Sequence, residues 1–127
     1  MDRRMFLMLA ACWLGSSAAQ EGGGKPETVM VTYRAKAGAE AELARVIARH
    51  WTVARDLKLV REAGHMTLRG MEEGNKAYFV DIFTWRDAKI PDSAPPAIQG
   101  IWAEMGKLVE ARGGKQGIEI VEVAVVE

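Results

Sequence analysis

The sequence predicts an α+β domain in which a four-stranded antiparallel sheet carries two helices on one face. Runs rich in β-branched and aromatic residues are typical of strands, and they lie at 27–34, 65–71, 77–85 and 117–126. Two longer segments, 38–60 and 95–112, repeat apolar residues at the 3.6-residue spacing of an amphipathic helix. The order is therefore β-α-β-β-α-β, the ferredoxin-like arrangement with strands one and three in the centre.

The third predicted strand, AYFVDIFTW at 77–85, is the longest uninterrupted β-type run in the chain. It is apolar on both faces, which is typical of a strand in the middle of a sheet. Its one acidic residue, Asp81, stands among aromatic side chains. A buried carboxylate needs a hydrogen bond or a charged partner, so Asp81 is the first candidate functional residue.

The first strand is bounded by Pro26 and Gly38, and Tyr33 lies on one of its faces. The first helix follows, with charged residues on one side and an apolar stripe on the other. The stripe consists of Leu43, Val46, Ile47, Val53, Ala54 and Leu57. His50 lies near the centre of this stripe, so we expect it to face the sheet.

Strands two and three predict a hairpin whose turn is 72–75, because Gly74 or Asn75 can take a positive φ. A turn of this length pairs Met66 near Asp81. The predicted register places Met66, Leu68, Phe79, Asp81 and Phe83 on one face, and His65, Thr67 and Arg69 on the other. We therefore expect His65 to be exposed and not to pair with Asp81.

The second helix is predicted to start with Ser93 as its N-cap and with Pro95 and Pro96 in its first turn. Its apolar face consists of Ile98, Ile101, Trp102, Met105, Leu108 and Val109. Gly113 and Gly114 are predicted to end it.

Both faces of strands three and four are apolar, although two helices cover only one face of a sheet. The residues opposite Phe79, Phe83 and Trp85 are also apolar, and exposed apolar faces usually mark interfaces. We therefore expect an obligate homodimer in which a second copy covers this face, sheet against sheet.

The first 19 residues have the form of a secretory signal peptide. Two arginines precede an apolar run of about ten residues, too short for a membrane span of roughly twenty. Ser17-Ala18-Ala19 fits a signal peptidase site. We expect 20–26 to be a flexible tether and 27–127 to form one domain, periplasmic or secreted.

Two motifs leave the export route open. Arg3-Arg4-Met5-Phe6-Leu7 resembles the twin-arginine motif, which implies export in the folded state. Leu9-Ala10-Ala11-Cys12 resembles a lipobox, which would make Cys12 a lipid anchor. We favour cleavage after Ala19, because the apolar run continues past Cys12. Such cleavage removes the only cysteine and leaves a domain without disulfides.

Composition and motifs argue against several functions. The chain has 17 basic and 17 acidic residues, without the positive excess of a nucleic-acid-binding surface. Metal-ligand spacings, a P-loop and a dinucleotide-binding glycine motif are all missing from the sequence. We therefore expect no nucleic-acid partner, no metal and no cofactor.

Four segments of the chain carry a family resemblance: YFVDIFTW at 78–85, the proline-rich loop after it, Ile101-Trp102-Ala103-Glu104-Met105 and the Gly113-Gly114 stop. In this order they resemble the dimeric α/β-barrel superfamily. Over roughly residues 27–125 the chain is most similar to its antibiotic-biosynthesis-monooxygenase (ABM) type, including exported members. The resemblance implies a barrel built from two sheets and a pocket in each subunit between sheet and helices. It also implies a cofactor-independent monooxygenase acting on a small aromatic or quinol-type substrate.

His50 and Asp81 are the predicted catalytic residues, since both point into the same layer if the Asp81 face meets the helices. Such a site deprotonates an electron-rich aromatic, which then reduces dioxygen itself. Tyr33, Trp85 and Trp102 are the predicted pocket residues for a flat ligand.

Each of these residues also has a structural interpretation. Asp81 fits an ion pair with Arg or Lys, and His50 fits a histidine bonded to a backbone carbonyl or buried against Trp51. As a functional residue, His50 also fits an axial ligand to a haem-like cofactor. Trp85 and Trp102 fit the core. Two alternative functions follow: a protein that binds a small aromatic ligand without catalysis, or a dimeric module without a ligand. The second helix has no histidine, which argues against haem degradation.

Overall fold

The structure is a computed structural model that describes residues 24–126. The predicted signal peptide, the motifs around Cys12 and most of the tether lie outside the described residues. The elements in chain order are β1 (Glu27–Arg34), α1 (Glu40–Asp56), β2 (Val60–Glu72), β3 (Lys76–Trp85), a 3-10 helix (Ile90–Ser93), α2 (Pro96–Leu108) and β4 (Ile118–Val123). The predicted β-α-β-β-α-β fold is confirmed.

The strands form one antiparallel sheet in the order β2-β3-β1-β4, so that β3 and β1 are central. Both helices cover the face that carries Val31, Tyr33, Phe79, Asp81 and Phe83, which we call the inner face. Helix residues that pack against it are buried because the apolar stripe of each helix points at the sheet. They are Leu43, Val46, Ile47, Ala54, Ile98, Ile101 and Met105.

The register of the β2–β3 hairpin differs from the prediction by one residue. Glu72 pairs with Lys76, which leaves a three-residue turn, with φ of 81° at Gly74 and 60° at Asn75. Thr67 therefore pairs with Asp81, and a one-residue shift moves every side chain of β2 to the opposite face. The predicted face assignment of β2 was wrong.

On the corrected register, His65, Thr67 and Arg69 share the inner face with Asp81. The pairing of β2 with β3 is irregular between Arg61 and Met66, and Gly64 in this bulge has a φ of 83°. The bulge turns the His65 side chain towards β3, so His65 is half-buried.

The ends of α2 also differ from the prediction. Ser93 ends the 3-10 helix, and α2 begins at Pro96 without a side-chain cap. The helix ends at Leu108, because Val109 takes an extended conformation and bridges Ala35. Gly113 and Gly114, both with positive φ, form instead the turn between Arg112 and Lys115.

The outer face of the sheet carries a row of apolar side chains across all four strands. Met66 pairs with Ile82, Ile82 with Met30, and Met30 with Val121. Met66 is 51% exposed and Val121 is 48% exposed. No described element covers this row, and neither α1 nor α2 is long and apolar enough to cross a membrane.

Candidate functional site

A cavity of about 410 Å³ lies between the inner face of the sheet and the helices. This volume is in the range of small-molecule sites. Side chains from every element except β2 line it: Glu27, Val29, Val31, Tyr33, His50, Phe83, Trp85, Pro91, Asp92, Trp102, Met105, Ile118 and Ile120. The wall is therefore mainly aliphatic and aromatic. The most exposed wall residues, Asp92 and Ile120, mark its open side.

His50 reaches the cavity from α1 and is only 2% exposed. The indole nitrogen of Trp102 donates a hydrogen bond of 3.0 Å to His50 Nε2. Since an indole N–H can only donate, Nε2 is the unprotonated nitrogen. Burial, and to a smaller extent the nearby His65, lower the pKa of His50 to about 4. His50 is therefore neutral at pH 7, and its basic nitrogen is already engaged.

The predicted pocket residues all line the cavity. The rings of Trp85 and Trp102 meet edge to face with centroids 6.4 Å apart, and His50 lies 6.1 Å from Trp85. The Tyr33 ring is buried, and its pKa is raised by burial and by the Asp81 carboxylate. The phenol is therefore a hydrogen-bonding group rather than a phenolate at neutral pH.

Asp81 is fully buried on β3 and does not line the cavity. Its Oδ1 accepts a hydrogen bond of 2.7 Å from the Thr67 hydroxyl and lies 2.9 Å from His65 Nε2. Its Oδ2 is buried without a hydrogen-bond partner. Burial raises the pKa of Asp81, while Thr67 and His65 act in the opposite direction. The structure thus gives Asp81 the partner that the predicted register had excluded.

His65 is held on two sides. Asp81 fixes one ring nitrogen, and Trp51 of α1 stacks on the ring with centroids 3.8 Å apart and an angle of 7° between the planes. A buried carboxylate that bonds one nitrogen of an imidazole sets the tautomer and orientation of the ring. His65 and Thr67 are therefore functional candidates that the sequence reasoning missed.

The predicted pair of His50 and Asp81 is not in contact. Both lie in the inner layer, but His50 bonds to Trp102 and Asp81 bonds to His65 and Thr67. The signal that could have located these partners is the sequence Glu73-Gly74-Asn75, since a three-residue hairpin turn with glycine or asparagine at positive φ is common. Gly64 is the second signal, since an isolated glycine within a strand often marks a bulge.

Positive charge is missing from the cavity wall of the described residues. The wall includes the carboxylates of Glu27 and Asp92 but neither lysine nor arginine. Arg69 lies with its guanidinium 5.7 Å from the Phe79 ring centre and does not line the cavity. Within residues 24–126, no cluster of three histidine, cysteine or carboxylate side chains is arranged to hold a metal ion.

A comparison with protein-family models gives no match for this chain, and neither does a comparison with curated protein sequences. Among solved structures, the chain is similar to Rv0793 from Mycobacterium tuberculosis, with a TM-score of 0.58 and 13% sequence identity. The similarity covers 81% of this chain and 97% of that protein. At this level of identity the comparison shows a shared small α+β fold.

Proposed function

We propose that this protein is an exported, homodimeric ABM-like domain that binds a small aromatic or quinol-type molecule in the cavity between sheet and helices. The observation that carries the proposal is the cavity itself, about 410 Å³ in volume, with Phe83, Trp85 and Trp102 on its wall. Aromatic walls with few polar groups suit flat apolar ligands. Trp85 belongs to the buried core and Trp102 packs against it, but a cavity remains beside both side chains, which favours a ligand over a purely structural module.

The interactions within the cavity favour binding over proton-transfer chemistry. A base must have a free lone pair and a pKa near the working pH. The His50 lone pair is bonded to Trp102, and its pKa of about 4 makes it a weak base. Asp81 has a raised pKa but does not reach the cavity wall.

A cofactor-independent monooxygenase is the second candidate function. Its support is an apolar cavity that carries the imidazole of His50 and the phenol of Tyr33 on one wall. In such an enzyme the deprotonated substrate itself reduces dioxygen. Oxygen uptake with quinols tests this function, and unchanged turnover in a His50→Ala, Asp81→Ala double variant would exclude both residues from the mechanism.

Binding is tested by calorimetric titration with 2-naphthol, a stable flat aromatic. We expect Ile120→Trp, which fills the open side of the cavity, to abolish binding. Leu57→Trp is the matched control, because Leu57 is 46% exposed against 42% for Ile120 and lies outside the cavity. Equal affinity in the two variants would contradict binding in this cavity.

The homodimer is proposed from the outer face of the sheet. The row of Met30, Met66, Ile82 and Val121 is unfavourable in water. A second copy that covers it would gain about 25 cal/mol of free energy for each Å² of apolar surface buried. We expect Met66→Lys to lower the dimer fraction in analytical ultracentrifugation. Glu62→Lys, exposed on the same strand, is the control. A monomeric wild type at low micromolar concentration would refute the dimer.

Export is proposed from the first 19 residues of the sequence. Native mass spectrometry of protein purified from the exported fraction would report the cleavage site, the dimer mass and any retained ligand together. A mass that begins at Gln20 supports cleavage after Ala19, whereas a lipid-modified Cys12 supports the anchor instead. A chain that retains its first residues would contradict both.

A further inference from the structure

The wall of the cavity carries no positive charge among the residues that the structure describes. Glu27 and Asp92 are its carboxylates, and Asp92 is exposed at the open side. Both make further interactions within the protein, but neither adds positive charge to the wall. A ligand that enters the cavity therefore meets no cationic side chain on this wall.

The deeper polar groups of the wall are uncharged. His50 is neutral because its Nε2 accepts the Trp102 N–H and because burial disfavours the imidazolium. Tyr33 keeps its proton because burial and the Asp81 carboxylate disfavour the phenolate. The burial that opposes a charge on Tyr33 also opposes a negative charge on a ligand beside it.

We propose that this cavity selects flat aromatic ligands without negative charge and excludes their anionic counterparts. The inference rests on the proposed binding function and names the ligand class of the same site. An anionic group that points inward loses its water and gains no cation. One that points outward also finds neither lysine nor arginine on the wall to pair with. Aromatic carboxylates, aromatic phosphates and haem, with its two propionates, are all excluded by this reasoning.

The test compares 2-naphthol with 2-naphthoate, which share one ring system but differ in charge at pH 7. Calorimetric titration of the wild-type protein should give a dissociation constant for the carboxylate at least about tenfold larger than for the phenol. Comparable affinities would overturn the charge selection while leaving the binding function intact. Failure of both compounds to bind would refute the binding function and this inference with it.

A second arm places a cation on the wall. Ile120 lines the cavity and is 42% exposed, so a longer side chain can be accommodated there. We expect Ile120→Lys to strengthen 2-naphthoate binding about tenfold relative to Ile120→Gln, a neutral variant of similar size. If both variants bind the carboxylate equally, charge on the wall does not select the ligand and the inference is wrong.

Discussion

Acidification should destabilise the fold through His50, which is buried in its neutral form. Its pKa falls from an ordinary 6.5 to about 4 in the folded chain. Between these values the unfolded chain binds a proton that the folded chain does not. By linkage, the stabilising contribution of His50 is present above pH 6.5 and is lost as the pH falls towards 4.

The size of the effect follows from the difference in pKa. A pKa difference of about 2.5 corresponds to about 3 kcal/mol of unfolding free energy, because each tenfold change in proton affinity corresponds to about 1.4 kcal/mol. No large discount for solvent screening applies, since His50 is 2% exposed. Stabilities of whole domains are about 5–15 kcal/mol, so this one histidine makes a substantial contribution to acid sensitivity.

The assay is urea unfolding at pH 7.5 and pH 4, with His50→Gln beside the wild type. The glutamine amide can accept the Trp102 N–H but does not titrate. We expect the wild type to lose about 3 kcal/mol more than His50→Gln between the two pH values. Asp81 contributes in the opposite direction, because its raised pKa makes protonation in the fold favourable, but it does so equally in both proteins.

His65→Gln is the control, because His65 is the other histidine of the two in the chain. This variant should keep most of the pH dependence that comes from His50, because burial is the larger cause of the lowered His50 pKa and His65 the smaller one. Parallel loss of stability in wild type and His50→Gln, within about 0.5 kcal/mol, would refute the burial of a neutral imidazole at this position.

Further predictions concern the unfolding free energy measured in urea. Thr67→Val removes the hydroxyl that bonds the buried carboxylate and should cost about 1–3 kcal/mol, whereas Thr32→Val on the outer face should cost less than about 0.5 kcal/mol. Gly70→Ala would place a Cβ 2.4 Å from the Tyr78 ring and should cost about 1–3 kcal/mol, a loss that Tyr78→Ala should reduce in the double variant. Arg112→Met breaks hydrogen bonds to two backbone carbonyls and two carboxylates, and we expect a loss of about 2 kcal/mol or more. Unchanged stability in Thr67→Val, Gly70→Ala or Arg112→Met would contradict the contact concerned.

The order of elements and the central position of β3 could be predicted because they depend on local patterns. The β-type run at 77–85 and the helical spacing around His50 each extend over many residues. One residue that departs from the pattern therefore does not alter the predicted element. The same robustness explains why Tyr33, Trp85 and Trp102 were assigned together to the pocket. Each lies on an element whose apolar face the sequence defines clearly.

The partners of Asp81 could not be predicted in the same way, because they depend on the length of one turn. Glu73-Gly74-Asn75 fits a three-residue turn, but a four-residue turn at 72–75 uses the same Gly74 and Asn75, so these residues alone do not decide between the two lengths. The bulge at Gly64 compounds the problem, since an isolated glycine can mark a bulge but does not show how far the register shifts there. His50 was correctly placed beside the sheet, but its hydrogen bond to Trp102 depends on side-chain conformations in two separate helices.

The turn of the β2–β3 hairpin lies on the surface, but its length determines which side chains of β2 reach the interior. Surface turns usually tolerate insertions and deletions. If the turn keeps its three-residue form, a single-residue deletion within Glu73-Gly74-Asn75 would draw Glu72 into the turn, bring Met66 opposite Asp81 and turn Thr67 outward. Two added residues would preserve the alternation. Whether the fold tolerates an insertion or deletion in this turn should consequently depend on whether the number of residues added or removed is odd or even, rather than on how large that number is.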